Sequence, residues 1–395
     1  MDFGTLALIV GAGLAGPLLA ARSSWRQPVV VGELLVGIFL GRTGLQVLDT
    51  GDATFTFLAE IGFALVMFVA GSHVPVLDPR LRQGLGVGLG RAALVGVVAA
   101  GLGSGLAAAF GTGNGLIYAV LMASSSAAIV LPIVDSLGLS GPPVLQLLPQ
   151  VAIADAACIV ALPLVIDPEN AGRAGLGALA VVGCAIALFL VLHWGEHTGL
   201  RRRMHRVSEK RKFALELRLS LLALFALAAV ATAAHVSVML AGFALGLVVA
   251  AIGRPRRLAK QLFAITEGFF APLFFVWLGA SLDVRDLARH PGLILLGVLL
   301  GVGALLAHLV GALTRQPVPI AALSCAQMGV PVAAATLATR LGLLGPGEAP
   351  AMILGALITV AVSAVAGAAT ARRQAAASGD SARPEPAPSP PPDPG

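Results

Sequence analysis

Thirteen stretches of this chain are apolar over about 20 residues, the length a helix needs to cross a bilayer. They lie near 4–21, 28–46, 54–74, 85–110, 114–136, 146–166, 173–194, 214–234, 236–252, 262–281, 291–313, 318–341 and 350–371. A chain that consists mostly of such runs has no polar surface with which to face water. Its 395 residues are 57% hydrophobic and 12% charged, with a mean hydropathy of +0.91, which excludes an ordinary soluble domain. In hydrocarbon every backbone N–H and C=O must bond within its own segment. The expectation is therefore an all-α polytopic membrane protein of about 13 transmembrane helices. The first run follows Asp2 instead of a basic stretch and leads directly into further spans, so it reads as a retained helix and not a secretory signal.

The charges sort by loop. After odd-numbered spans come Arg22 and Arg26, Arg80 and Arg82, the cluster from Arg201 to Lys212, the cluster from Arg254 to Lys260, Arg315, and Arg372 with Arg373. Loops after even-numbered spans hold few basic residues, mixed with Asp49, Asp52, Asp167 and Glu169. The positive-inside rule then puts the N-terminus outside and the C-terminus in the cytoplasm of a multi-pass protein of the cell membrane. An odd number of spans demands the same arrangement. The net charge of +6 is thereby accounted for by topology, and no nucleic-acid partner is implied. Cys158, Cys184 and Cys325 all fall in apolar runs without ligand spacing, so they read as small buried packing residues; no resident metal or cofactor is implied. Residues 373–395, rich in proline and small polar residues, read as a disordered cytoplasmic tail.

One span carries a charge near its middle: QLLPQVAIADAACIVALPLVI (146–166), with Asp155. An ionisable group at that depth is a functional candidate by default. Its surroundings follow from internal repetition. Span two, VGELLVGIFLG (31–41), resembles span nine, LAGFALGLVVA (240–250), and the ends of spans three and ten are alike. Each pair is seven spans apart, and an odd offset inverts the second unit. Repeat A (4–166), a linker helix (173–194) and repeat B (214–371) result. The same offset pairs span five, with SSSAAIVLP (124–132), and span twelve, with CAQMGVPVAAAT (325–336). Both carry sequence that weakens a helix at mid-depth, Gly329 and Pro331 above all. The bland alternative is a proline kink in each. Matched discontinuous helices that cross would instead free carbonyls and helix ends for an ion, with Ser125, Ser126 and Gln327 adding oxygens.

These pieces, taken with QPVVVGELLVGIFLGRTGL (27–45), FLAEIGFALVMFVAGS (57–72), IADAACIV (153–160) and APLFFVWLGASLD (271–283), resemble the monovalent cation:proton antiporters, the Kef-type and sodium–proton exchanger superfamily in its cation:proton antiporter-2 branch. The resemblance covers about 25 to 371. It implies a homodimer built on spans one to three and eight to ten. It also implies a core of spans four to six and eleven to thirteen that rocks across the membrane. Asp155 falls on the aspartate that binds cation and proton in turn. Exchange of Na+ or K+ for H+ by alternating access follows, with no covalent chemistry and hence no enzyme.

Three departures qualify the resemblance. The family commonly has an Asp or Asn before the key aspartate, where this chain has Ala154. It commonly has a lysine or arginine in span eleven, where this chain has His308. Relatives often read Gly-Glu in span twelve, and here the pair is Gly329-Val330. A histidine can be neutral at pH 7, so Asp155 lacks a permanent counter-charge and the pair is expected to sense pH; the rival reading is a lone histidine packed neutrally against a carbonyl. Two other functions remain open at this stage: a transport-inactive membrane sensor or partner subunit, and an inverted-repeat symporter of small organic anions.

Overall fold

The computed structural model describes residues 1–20, 29–73, 76–77, 79–166, 168, 171–197, 215–234, 236–253, 256–282, 284–289 and 291–380. Among them every regular element is helical. Eight helical stretches of 20 to 29 residues have a mean hydropathy between 1.7 and 2.6, and shorter apolar helices accompany them. Each of the thirteen expected spans is met by a helix or a pair of helices. The protein is a multi-pass membrane protein.

The boundaries differ in instructive ways. Span one is divided at Leu14, into Phe3–Gly13 and Ala15–Ala20. Span ten starts earlier than its apolar run, at Arg256, and passes through a π-helical turn, Thr266–Phe270, before Ala271–Ser281. Span thirteen, Glu348–Asp380, continues past Arg373; the stretch read as a tail is thus helical as far as Asp380, and 381–395 lie outside the described residues. So do the basic residues 201–212. Cys158 and Cys325 are buried as expected, but Cys184 is exposed, because it sits on the bilayer-facing side of span seven, where an apolar thiol needs no cover.

The spans pack as two bundles. Spans one, two, three, eight, nine and ten pack chiefly on one another; so do spans four, five, six, eleven, twelve and thirteen, while span seven leans on spans six, eight and nine. In the first bundle several crossings are tight enough to bring backbones together, among them two built on paired glycines. Gly37 and Gly41 of span two meet Val276, Gly279 and Ala280 of span ten, and Gly71 of span three meets Phe243 and Gly246 of span nine. Lipid supplies no hydrophobic drive for such contacts, so close backbone packing holds them. Glu33 is buried there too, 3% exposed, on span two against Gly16 of span one.

In the second bundle, buried polar groups fasten the helix ends. The Arg91 guanidinium, 3% exposed, donates from Nε to Thr314 Oγ1 at 2.7 Å and from Nη2 to the Thr314 carbonyl at 3.1 Å. It thus caps the C-terminus of span eleven, where the helix dipole is negative. At the opposite ends of spans five and thirteen, Glu348 accepts from Tyr118 Oη at 2.5 Å, the Gly345 amide at 2.6 Å, and Asn114 Nδ2 at 3.2 and 3.3 Å. Tyr118→Phe removes one donor from this buried carboxylate. It is expected to lower stability by about 2 kcal/mol, read as a lower melting temperature in detergent with cation binding intact.

Candidate functional site

Spans five and twelve are both interrupted. Span five consists of Gly115–Ala123 and Ala127–Ser136, separated by Ser124, Ser125 and Ser126; span twelve consists of Val318–Leu323 and Gly329–Arg340. Ser124 is extended, with φ −71 and ψ 147, which ends the first half-helix. Pro331 is the third residue of its half-helix. At that position its missing N–H would have had no intrahelical partner, so it starts the second half instead of kinking a continuous helix. The two breaks touch, for Ser125 Oγ donates to the Ser324 carbonyl at 2.7 Å.

Asp155 lies against this crossing. It sits on span six, Pro142–Ile166, and is 3% exposed. Its Oδ2 accepts the Ala127 amide at 3.0 Å, the first N–H of the second half of span five. The carboxylate therefore rests on a helix N-terminus, where backbone donors and the dipole favour negative charge. Its Oδ1 makes no hydrogen bond with any described residue. Ser126 is buried, and its carbonyl accepts from Ile129 at 3.1 Å and Val130 at 3.0 Å, holding the start of the half-helix. At Gly329 a side chain would meet Met67 of span three and Met239 of span nine, so the second break abuts the other bundle.

His308 and Gln327 take positions that composition could not disclose. His308, 1% exposed, places Nδ1 2.9 Å from the Ala304 carbonyl and Nε2 3.2 Å from Ser125 Oγ. Among the described residues no hydrogen bond or ion pair joins it to Asp155. The histidine meets the broken helix, and Asp155 meets another part of the same break. Gln327 donates its backbone N–H to Thr359 Oγ1 at 3.1 Å, while its side-chain Nε2 is buried without a partner among the described residues. Thr359 and Ser363 of span thirteen, Gln150 of span six and Ser324 were missed in the sequence. Each is a lone polar residue in an apolar run, and the only signal available was that a buried polar group requires a partner.

Above the site lies a cavity of about 490 Å3 between the two bundles. Its wall includes Glu60, Phe63, Ile159, Arg173, Trp277 and Thr336. Ile159 is one helical turn beyond Asp155, so the cavity ends near the carboxylate. Two broken helices that meet beside a buried carboxylate, between bundles separated by a cleft, form the architecture of a membrane carrier.

The sequence profile of the family described as "Sodium/hydrogen exchanger, transmembrane" matches residues 5–373. The chain belongs to that family. It is 22% identical over 375 residues to YjbQ of Bacillus subtilis, a match that spans 90% of this chain and 61% of YjbQ. It is 26% identical over 323 residues to the Na(+)/H(+) antiporter NhaS5 of Synechocystis sp., spanning 79% of this chain and 45% of that one. The chain thus spans less than two thirds of the length of either relative. A solved structure of the sodium proton antiporter MjNhaP1 from Methanocaldococcus jannaschii superposes with a TM-score of 0.65 at 17% identity, covering 94% of this chain and 97% of that one. The fold is the same.

Proposed function

We propose that the protein is a secondary active transporter that exchanges Na+ or K+ for H+ by alternating access, with Asp155 as the group that holds either ligand. The observation that carries this reading is a buried carboxylate with one oxygen held by a helix N-terminus and the other, Oδ1, without a hydrogen bond among the described residues. A proton or a hard monovalent cation can occupy that oxygen, but the two compete for the same lone pairs. Each ligand therefore displaces the other, which is the requirement for exchange. Ser125 and Ser126, the two residues before the Ala127 amide that Oδ2 accepts, would add neutral oxygens, and the Gln327 and Gly329–Pro331 segment forms the other side of the crossing. A carrier of organic anions would need a permanently positive group here; the crossing instead holds a carboxylate, and its other ionisable side chain, His308, is turned to Ser125 and the Ala304 carbonyl.

The bundle of spans four to six and eleven to thirteen moves against the other, which also supplies a homodimer contact. Repeat A (4–166) and repeat B (214–371) contribute three spans to each bundle, joined through the linker helix 173–194. The N-terminus faces outside and the C-terminus the cytoplasm, so the cavity beside Glu60 and Arg173 opens outward. Relatives carrying the names of sodium/proton antiporters support the pairing of ions. Cation-dependent proton movement in vesicles, compared for Na+, K+ and Li+, tests the proposal. Absence of exchange with all three would overturn it and favour a sensor or partner subunit.

His308 senses pH through Ser125. A neutral ring protonated at Nδ1 offers only an acceptor at Nε2, while the Ser125 hydroxyl gives its proton to the Ser324 carbonyl; a protonated ring donates from Nε2 to Ser125 Oγ and so adds a bond beside the ion site. His308→Gln can accept a hydrogen bond but cannot take up a proton. We expect exchange to persist with a pH profile flattened on its acid side, measured from pH 4 to 9 in proteoliposomes. A wild-type profile would remove this role.

A further inference from the structure

We propose that Gln150 is a positioning residue that sets cation affinity and discrimination without touching the ion. It lies five residues before Asp155 on span six and is 1% exposed. Both ends of its amide are engaged. Oε1 accepts from Gln316 Nε2 at 2.9 Å, and Nε2 donates to Ser324 Oγ at 3.4 Å. The Ser324 hydroxyl donates in turn to the Ala321 carbonyl at 2.7 Å. Its main-chain carbonyl takes the Ser125 hydroxyl at 2.7 Å. One neutral side chain on the helix of Asp155 therefore fixes the break of span twelve. Through that break it fixes a proposed ligand on the break of span five.

The consequence lies in the single proton of Ser125. Two acceptors compete for it. The Ala304 carbonyl can only accept, so His308 Nδ1 carries the ring proton, and a neutral ring then offers Nε2 as an acceptor to Ser125. The Ser324 carbonyl is the nearer of the two, 2.7 Å against 3.2 Å. While Ser324 holds that proton, the Ser125 lone pairs point in one fixed direction. Without the tie from Gln150, Ser324 is released from span six, the hydroxyl turns toward His308, and the lone pairs offered to a cation turn with it. A small change in the direction of one oxygen ligand matters more to a small cation than to a large one. Ion discrimination therefore changes along with affinity.

This inference rests on the exchange reading above, and its test separates the two. The full-length protein is reconstituted, and proton flux is titrated with Na+, Li+ and K+ for wild type, Asp155→Asn, Gln150→Met and Ser324→Ala. Gln150→Met keeps the volume and removes both hydrogen bonds; Ser324→Ala removes the hydroxyl that receives one of them and leaves the carbonyl. Both are expected to raise the apparent KM for Na+ by about tenfold, the worth of one buried hydrogen bond. Both are also expected to alter the Na+:Li+:K+ ratio, with the maximal rate within about twofold of wild type. Unchanged KM values and ratios in both variants would overturn the proposal, as would an equal loss of rate for every cation at unchanged KM. If Gln150→Met yields no folded protein, Ser324→Ala decides by the same criteria. Exchange surviving in Asp155→Asn would instead overturn the underlying reading.

Discussion

Asp155→Asn is expected to reduce cation-dependent proton movement to the level of protein-free vesicles. Asparagine has the shape of aspartate, and its side-chain oxygen can still accept the Ala127 amide that Oδ2 accepts now. The fold should persist, with the same elution volume and melting temperature in detergent. What disappears is the negative charge and the proton that replaces it. An amide does not release a proton in any usable pH range, and it offers a cation only a weak neutral oxygen where a carboxylate stood. Neither half of the exchange then has a ligand to displace. Asp155→Glu provides the complementary measurement. It keeps the acid but moves it by one methylene from the end of the half-helix that begins at Ala127, and a displacement of about 1 Å can cost on the order of 10²-fold in rate. Measurable exchange with altered affinity is expected. Full activity in Asp155→Asn would mean that the transported proton is held elsewhere.

Gly279→Leu is expected to abolish the folded protein altogether. At this position a Cβ would collide with the Leu34 carbonyl and lie 2.9 Å from the Ile38 amide nitrogen and 3.0 Å from the Gly37 Cα. All three neighbours are backbone atoms of span two, so no side chain can rotate away, and the helices must separate. Overpacking in a well-packed core costs about 1–3 kcal/mol when side chains can shift; here they cannot, and the crossing holds the first bundle together. The expected outcome is aggregated material in size-exclusion chromatography of detergent extracts. Gly90→Leu is the control, since nothing lies within 4 Å of a Cβ there and span four accepts a side chain toward lipid. Normal yield from Gly279→Leu would mean that the crossing of spans two and ten is looser than the structure describes.

Much of the fold could be read in advance because the bilayer imposes so few alternatives. Length and hydropathy specify a spanning helix, and small residues such as Gly37, Gly41, Gly242 and Gly246 mark where backbones approach. The seven-span offset correctly paired the two interrupted helices, since serine runs and a glycine–proline pair weaken helices by local chemistry. Apolarity is uninformative about length, however. It could not show the π-helical turn in span ten, nor the extension of span thirteen to Asp380. Those depend on what each helix end meets.

The site was legible in part for the same reason. Asp155 was conspicuous because a charge in hydrocarbon is expensive. Gln150, Ser324 and Thr359 were not, because an uncharged polar residue in an apolar run carries no mark of its partner. Their roles arise from contacts between residues as much as 199 positions apart, as between Ser125 and Ser324. By itself the sequence determined that this chain crosses a membrane thirteen times and carries one acid at mid-depth between two weakened helices, since burial of charge and loss of backbone donors are local effects. Only the tertiary structure decided that the acid caps the half-helix beginning at Ala127 and that His308 reaches Ser125 in place of Asp155. Hydrogen bonds a few ångströms long depend on how helices are turned about their axes, and no pattern of hydropathy carries that rotation.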